Sequence, residues 1–92
     1  MVCNYSFIIS ARIKSLVGLQ RNTALVELYA GNNRLENLRE VFVLKNLAAL
    51  VILDLFGNPV VKSADNYRLF VIYHLKALKA LDGLAIVSYD FC

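Results

Sequence analysis

One nine-residue frame, L-x-x-L-x-L-x-x-N, occurs twice in the chain and constrains its fold more than any other feature. One copy has its marked positions at Leu50, Leu53, Leu55 and Asn58, and the other has them at Leu25, Leu28, Ala30 and Asn33, so the copies are 25 residues apart. Successive side chains of a strand point to opposite faces, so each frame predicts a short strand whose leucines face inward. A fixed internal period predicts that such strands stack side by side in a solenoid.

The asparagine that ends each frame has a structural role in this prediction. It stands where the chain leaves the strand, and buried backbone groups in a turn need hydrogen-bond partners. An asparagine side chain offers both a donor and an acceptor to such groups. We therefore predict that Asn33 and Asn58 hold the turns of their repeats.

Residues 1–19 look like a degenerate first repeat. Its inward positions hold Cys3, Ser6 and Ile8, and Ala11 takes the asparagine position. Its return segment is better formed, with apolar residues at Ile13, Leu16 and Leu19. Solenoids need a polar cap at their ends, and none precedes this repeat. Two explanations are open: the chain is the C-terminal piece of a longer solenoid, or an apolar edge at residues 1–9 is covered by another chain, which allows self-association.

The remaining segments predict helices and a closing repeat. Apolar residues at spacings of three and four predict an amphipathic helix on the convex side over residues 34–49. A second helix is predicted over residues 65–75, with Ser63 as its N-cap, while Pro59 is expected to resist regular structure. Residues 78–82 open like the earlier frames, but Gly83 replaces the third inward leucine.

The expected organisation is one domain over residues 1–92. It begins with the degenerate first repeat at 1–19, continues with two well-formed frames at 20–58 and a C-terminal cap at 59–84, and ends with a tail at 85–92 that fits no frame.

Short runs in the C-terminal third resemble the cap of a known group of proteins. They lie at 58–60, at 66–68, at Leu75 and Leu78, and at 81–83. With the two frames, they make about residues 11–84 resemble the intracellular leucine-rich repeat proteins that end in a C-terminal repeat cap. Two residues depart from that pattern: Lys76 stands where the cap usually has proline, and Ala11 replaces the repeat asparagine.

The resemblance implies an α/β fold, a leucine-rich repeat solenoid with short parallel strands on the concave face and helices and turns on the convex face. It also implies a non-enzymatic protein-binding scaffold inside the cell, in the cytoplasm, with the cilium and the nucleus as alternatives. Tyr67, within the run 66–68, is a structural residue of the cap by the same resemblance.

The charge layout indicates which face would bind a partner. The net charge is +3, but outward strand positions hold acidic and apolar residues: Glu27, Tyr29, Ile52, Asp54, Phe56 and Asp82, with Phe7 if the first strand forms. The basic residues fall on links and helices, at Arg21, Arg34, Arg39, Lys45, Lys62, Arg68 and Lys76. An acidic and aromatic face suits a basic or amphipathic helix or peptide and repels phosphate, which disfavours nucleic acid there.

Alternatives remain for this face and for the whole chain. Tyr29 and Phe56 are candidate hot spots for binding, or they only cover each other's strands. Asp54 and Asp82 are either a catalytic carboxylate pair or, as we favour, a solvated acidic stripe. The chain as a whole could instead be a structural C-terminal cap of a longer repeat scaffold, or an RNA-associated protein that uses its basic convex side.

Nothing in the sequence predicts an enzyme, a cofactor or a small-molecule substrate. The single histidine, His74, has no cysteine or carboxylate at metal-ligand spacing and no partner for nucleophilic catalysis. No run of about 18 apolar residues predicts a membrane span. Cys3 and Cys92 lie at opposite ends of the predicted solenoid, so we expect free thiols in a reducing compartment.

Overall fold

The sheet follows the order of the chain. A computed structural model describes residues 4–87. Within them, five short strands lie side by side in the order in which they occur, β1 (Tyr5–Phe7), β2 (Glu27–Tyr29), β3 (Ile52–Asp54), β4 (Ala80–Leu81) and β5 (Leu84–Ala85). The strands from β1 to β4 are parallel, and β5 turns back antiparallel to β4.

The strand register agrees with the repeated frames. Leu28 of β2 pairs with Leu53 of β3, and Leu53 pairs with Leu81 of β4. On the other side of β2, Leu28 pairs with Ser6, so the first repeat forms its strand although a serine takes the inward leucine position. The alignment of the repeated frames therefore predicts which residues lie opposite one another, although the distance between paired residues along the chain differs from one repeat to the next.

Short helices and turns connect the strands. They are a 3-10 helix at Leu19–Arg21, and three α-helices, α1 (Leu38–Phe42), α2 (Pro59–Ser63) and α3 (Tyr67–His74). α1 and α3 pack against each other, as do α2 and α3. In the part of the chain that the structure describes, no helix is long and apolar enough to cross a membrane.

The long helix predicted over residues 34–49 is wrong, since only Leu38–Phe42 is α-helical there. Directly before α1 the backbone of Asn37 is extended. The N–H of Leu35 donates to the side chain of Asn58 in the next repeat rather than to a helical carbonyl. After α1 the chain turns every three residues, with buried leucines whose N–H groups donate three residues back, at Leu44, Leu47 and Leu50. An apolar spacing of three suits such tight turns as well as it suits an α-helix.

The predicted start of the cap helix is also wrong. Ser63 is the last residue of α2, and the residue that precedes α3 is Asn66, which has a left-handed backbone with φ of 56°. Pro59 does not resist regular structure but begins α2, because its fixed φ and missing N–H suit the first turn of a helix.

The core lies between the sheet and the convex side. The frame leucines are fully buried, and their C-terminal end is covered by Val71 of α3, Leu81 of β4 and, between these two elements, Leu75 and Leu78. The strand residues that alternate with the leucines lie on the other side of the sheet, which we call the concave face: Tyr5, Phe7, Glu27, Tyr29, Ile52 and Asp54, with Phe56 just beyond β3. From the predicted tail, Ile86 packs against the core; Cys3 and Cys92 lie outside the described residues.

Candidate functional site

Asn33 ties the second repeat to the first. Its side-chain oxygen accepts hydrogen bonds from the N–H groups of Ala11, at 2.9 Å, and Ile13, at 3.0 Å. Its amide donates to the carbonyls of Ile8 and Ala30. Asn33 is buried, so its amide replaces the water that these backbone groups would otherwise bind.

Asn58 repeats this arrangement one period later. Its oxygen accepts from the N–H of Leu35, and its amide donates to the carbonyls of Ala30, at 2.9 Å, and Leu55, at 2.8 Å. Each asparagine therefore bonds its own turn and the preceding repeat. The two side chains fix the spacing between the strands that carry the concave face.

Two rows of side chains cross the concave face in register. One row contains Tyr5, Glu27, Ile52 and Ala80, and the other contains Phe7, Tyr29 and Asp54. Pairing in a parallel sheet sets neighbouring strands about 4.8 Å apart, so side chains in one row touch across the sheet. The sequence prediction omitted Tyr5 and Ala80. Aligning the repeats would have placed Tyr5 beside Glu27 and Ala80 beside Ile52. That alignment was weak because the first repeat is degenerate and the last one is incomplete.

Phe7 and Tyr29 form a ring stack on this face. Their ring centroids are 4.8 Å apart and their planes differ by 6°. Tyr29 therefore stacks on a ring of the first repeat, a pairing that the sequence analysis did not predict. Phe7 lies on the concave face, as expected if the first strand forms, and is 67% exposed.

Tyr29 also carries a hydrogen bond that orients it. Its hydroxyl donates to a carboxylate oxygen of Glu27. That bond raises the pKa of Tyr29, with smaller contributions from burial and from the negative charges of Glu27 and Asp54. Two carboxylates thus act on the hydroxyl of one half-buried tyrosine, which makes this part of the face electronegative.

Phe56 projects at the end of β3, beside the acidic residues. It is 67% exposed, and its N–H donates to a carboxylate oxygen of Asp54 at 3.0 Å. The chain turns away directly after it at Gly57, whose φ of 85° suits glycine and where a Cβ would collide with the side chain of Asn32. Phe56 is therefore an exposed apolar side chain on a fixed turn.

Asp82 does not belong to the solvated stripe that we predicted with Asp54. It follows β4 at the predicted position, but its carboxylate is partly buried and accepts bonds from the N–H of Leu55, at 2.7 Å, and the hydroxyl of Tyr67, at 2.9 Å. Burial raises the pKa of Asp82, although both hydrogen bonds act in the opposite direction. Tyr67 is itself buried, and burial with the neighbouring Asp82 carboxylate raises its pKa. Asp82 therefore joins Leu55 of the preceding repeat to Tyr67 of the cap.

His74 lies on the convex side among aromatic rings. Its ring centroid is 4.4 Å from that of Phe70, 4.9 Å from that of Tyr73 and 5.2 Å from that of Phe42. Among residues 4–87, no three histidine, cysteine or acidic side chains are grouped so that they could hold a metal ion.

Comparisons with known proteins give relatives for most of the chain. No protein-family model matches it. It is 43% identical to mouse (Mus musculus) leucine-rich repeat-containing protein 36, over 80% of this chain and 10% of that protein. It is 45% identical to the Arabidopsis thaliana U2 small nuclear ribonucleoprotein A′, over 64% of this chain and 23% of that protein. It is 39% identical to human (Homo sapiens) cilia- and flagella-associated protein 410, over 85% of this chain and 31% of that protein.

The chain thus spans between a tenth and a third of the length of these relatives. They do not test the more specific likeness to leucine-rich repeat-containing protein nine that the runs 25–33 and 66–75 predict.

A solved structure supports the fold. The chain resembles one chain in the crystal structure of the Drosophila melanogaster SNF/U2A′ complex, with a TM-score of 0.77 and 28% sequence identity over 86% of this chain and 46% of that one. The predicted α/β architecture of parallel strands and convex helices is confirmed by this match. These relatives and this structural neighbour identify the chain as a leucine-rich repeat solenoid.

Proposed function

We propose that this chain is a protein-binding module that holds a basic or amphipathic helix or peptide on its concave face. The observation that carries the proposal is the pairing of exposed aromatic rings with carboxylates along the sheet. Phe7 and Phe56 are each 67% exposed, and Tyr29 lies between Glu27 and Asp54. A few residues supply most of the binding energy at protein interfaces, and aromatic side chains are frequent among them, while carboxylates favour basic partners.

The distribution of charge supports a protein partner for this face. Glu27 and Asp54 lie on it, whereas basic residues such as Lys45, Lys62 and Lys76 lie on the links and helices. An acidic surface repels the phosphates of nucleic acid. The structural neighbour was crystallised in a complex, which fits a repeat surface that holds another protein.

The same proposal includes a non-enzymatic role without a cofactor or a small-molecule substrate. The relatives are named as repeat, ribonucleoprotein and ciliary proteins. A role inside the cell, in the cytoplasm, the cilium or the nucleus, agrees with those names. The residues assigned to partner binding are Glu27, Tyr29, Ile52, Asp54 and Phe56; the hydrogen bonds of Asp82 assign it to the cap instead.

The test is a selection of displayed amphipathic helical peptides on the immobilised chain, followed by binding to variants. Phe56→Ala and Asp54→Lys are expected to abolish binding while circular dichroism shows that the fold is retained. The matched controls are Tyr73→Ala, since Tyr73 is 65% exposed on the convex helix α3, and Asp65→Lys, since Asp65 is exposed in a link. Selected peptides that bind both concave variants as tightly as the parent chain would contradict the proposal.

A second candidate is a structural cap for a longer repeat scaffold, with no partner of its own. The observation in its favour is the apolar exposure of the first repeat, where Tyr5, Phe7, Ile9 and Val17 are each at least half exposed. This candidate predicts that the isolated chain associates through residues 1–9. Light scattering on a size-exclusion column measures this: a folded monomer would contradict it, and a dimer or soluble aggregate with native dichroism would support it.

RNA association through the convex side is a third candidate. Lys45 and Lys76 line an open groove of about 450 Å³ there, together with Tyr73 and His74. Phosphate contacts make RNA binding fall steeply with salt. Filter binding that is absent, or that does not change with salt, would remove this candidate.

A further inference from the structure

We propose that the concave face contains a seat for one arginine side chain of the partner, on the ring face of Tyr29 that points away from Phe7, beside Asp54. This inference rests on the proposed function, because it names the chemical group that the concave face would recognise. It predicts a preference for arginine over lysine, which a merely acidic surface would not show.

The geometry of the ring stack defines the seat. The Phe7 and Tyr29 rings are nearly parallel at 4.8 Å, which is also the distance between neighbouring strands. The stack therefore runs across the sheet with one ring for each strand. The next position in the same row, on β3, is Asp54. One face of the Tyr29 ring is covered by Phe7. The other face is on the side of β3, where the paired residue is Asp54, a short carboxylate rather than a third aromatic ring.

The local charge favours a cation at this position. The Tyr29 hydroxyl donates to one oxygen of Glu27, and the N–H of Phe56 donates to one oxygen of Asp54. These bonds hold both carboxylates in place and use one oxygen of each. The negative charges of Glu27 and Asp54 both contribute to the raised pKa of Tyr29, so their fields overlap at its hydroxyl.

A guanidinium group fits this site better than an ammonium group. It is planar, stacks on aromatic faces and offers paired N–H donors to a carboxylate. Placed on Tyr29, it would continue the stack by one step and reach Asp54. The aliphatic part of the arginine would lie on Ile52 or Phe56, since both are on the same face. The ammonium of lysine could pair with Asp54 but could not extend the stack.

The experiment uses the peptides selected on the whole chain. Those whose binding is lost in Phe56→Ala are kept, because that loss shows they use the concave face. Each arginine in them is then changed to lysine and to citrulline, which is planar but uncharged. At one arginine we expect both changes to weaken binding about tenfold, the factor that corresponds to about 1.4 kcal/mol.

Variants of the chain assign the effect to the seat. Asp54→Asn removes the charge but keeps an oxygen that can accept from the N–H of Phe56, so the fold is retained. It is expected to weaken the arginine peptide about tenfold and to bind the citrulline peptide as the parent chain does. Asp65→Asn, in an exposed link, is the matched control and should change neither peptide.

Each remaining outcome contradicts the inference. If concave-face peptides bind equally well with lysine, or carry no arginine at all, the arginine seat is wrong and the proposed function stands. If the selection yields no peptide whose binding depends on Phe56, the proposed function fails and the seat fails with it.

Discussion

The two ends of the sheet differ in how completely they cover the apolar core. At the C-terminal end, β5 folds back on β4, and Asp82 joins the backbone of Leu55 to the hydroxyl of Tyr67. Leu81 is 1% exposed beneath them. At the N-terminal end, β1 has Ser6 in the inward position opposite Leu28, and Ile8 is only partly buried.

This difference is related to the repeat asparagines, Asn33 and Asn58, each of which bonds the repeat that precedes it. Asn33 bonds backbone groups of the repeat before it, at Ala11 and Ile13, and Asn58 does the same at Leu35. Ala11 takes the asparagine position of the first repeat, and its methyl side chain can neither donate nor accept such hydrogen bonds. At the C-terminal end the sequence has no asparagine after β4, and Asp82 instead accepts the N–H of Leu55, directly after β3.

The largest expected contrast is between core truncations at the two ends. Leu81→Ala should cost about 2–5 kcal/mol of unfolding free energy, because it empties space in a closed core. Ile8→Ala should cost about 1 kcal/mol, because less of its side chain leaves water on folding. Urea unfolding of both variants measures the difference. Equal losses would show that the N-terminal end is packed as fully as the C-terminal end.

Much of this fold could be predicted from the sequence. The frame of leucines and asparagines recurs along the chain, and aligning its copies predicts the register, because strands with one buried face cannot slip by a single residue. Ser6 opposite Leu28 follows from the same reasoning despite the poor match. Residues 34–49 could not be predicted in the same way, because an apolar spacing of three to four residues is satisfied by an α-helix and by successive tight turns alike.

The candidate site was predictable only in part. Alternation along a strand identifies outward residues such as Glu27 and Asp54, because it depends on neighbours in the chain. The direction of the Asp82 side chain depends on Tyr67, which comes 15 residues earlier and donates its hydroxyl to the carboxylate. The repeated nine-residue frame does not include Tyr67, so it could not predict that hydrogen bond. The stack of Phe7 on Tyr29 likewise depends on two repeats meeting in register.

A smaller effect should separate two replacements of Asp82. Asp82→Ala should cost about 1–3 kcal/mol, because the N–H of Leu55 and the buried hydroxyl of Tyr67 lose their acceptor. Asp82→Asn should cost much less, because its side-chain oxygen can accept from Leu55 and its amide can donate to the oxygen of Tyr67. Chemical denaturation of both variants tests whether this contact closes the C-terminal end. Equal stability of the two variants would show that it does not.

The smallest effect concerns pH and the charge on Asp82. Burial raises the pKa of this carboxyl in the folded chain above its ordinary value of 3.8. Between 3.8 and the raised pKa, the folded chain therefore binds more protons than the unfolded chain, so the contribution of Asp82 to stability falls as the pH rises through that interval. The effect should be a fraction of a kcal/mol, since the carboxylate is only partly buried.

Asp82→Asn separates this contribution from those of the other acidic groups, because it does not titrate. The stability of the parent chain, measured relative to this variant, should be higher below pH 3.8 than at neutral pH. Urea midpoints for both proteins across this range supply the comparison. A relative stability that rises with pH would mean that the bonds from Leu55 and Tyr67 outweigh the cost of burial, and that the charge itself helps to close the C-terminal end.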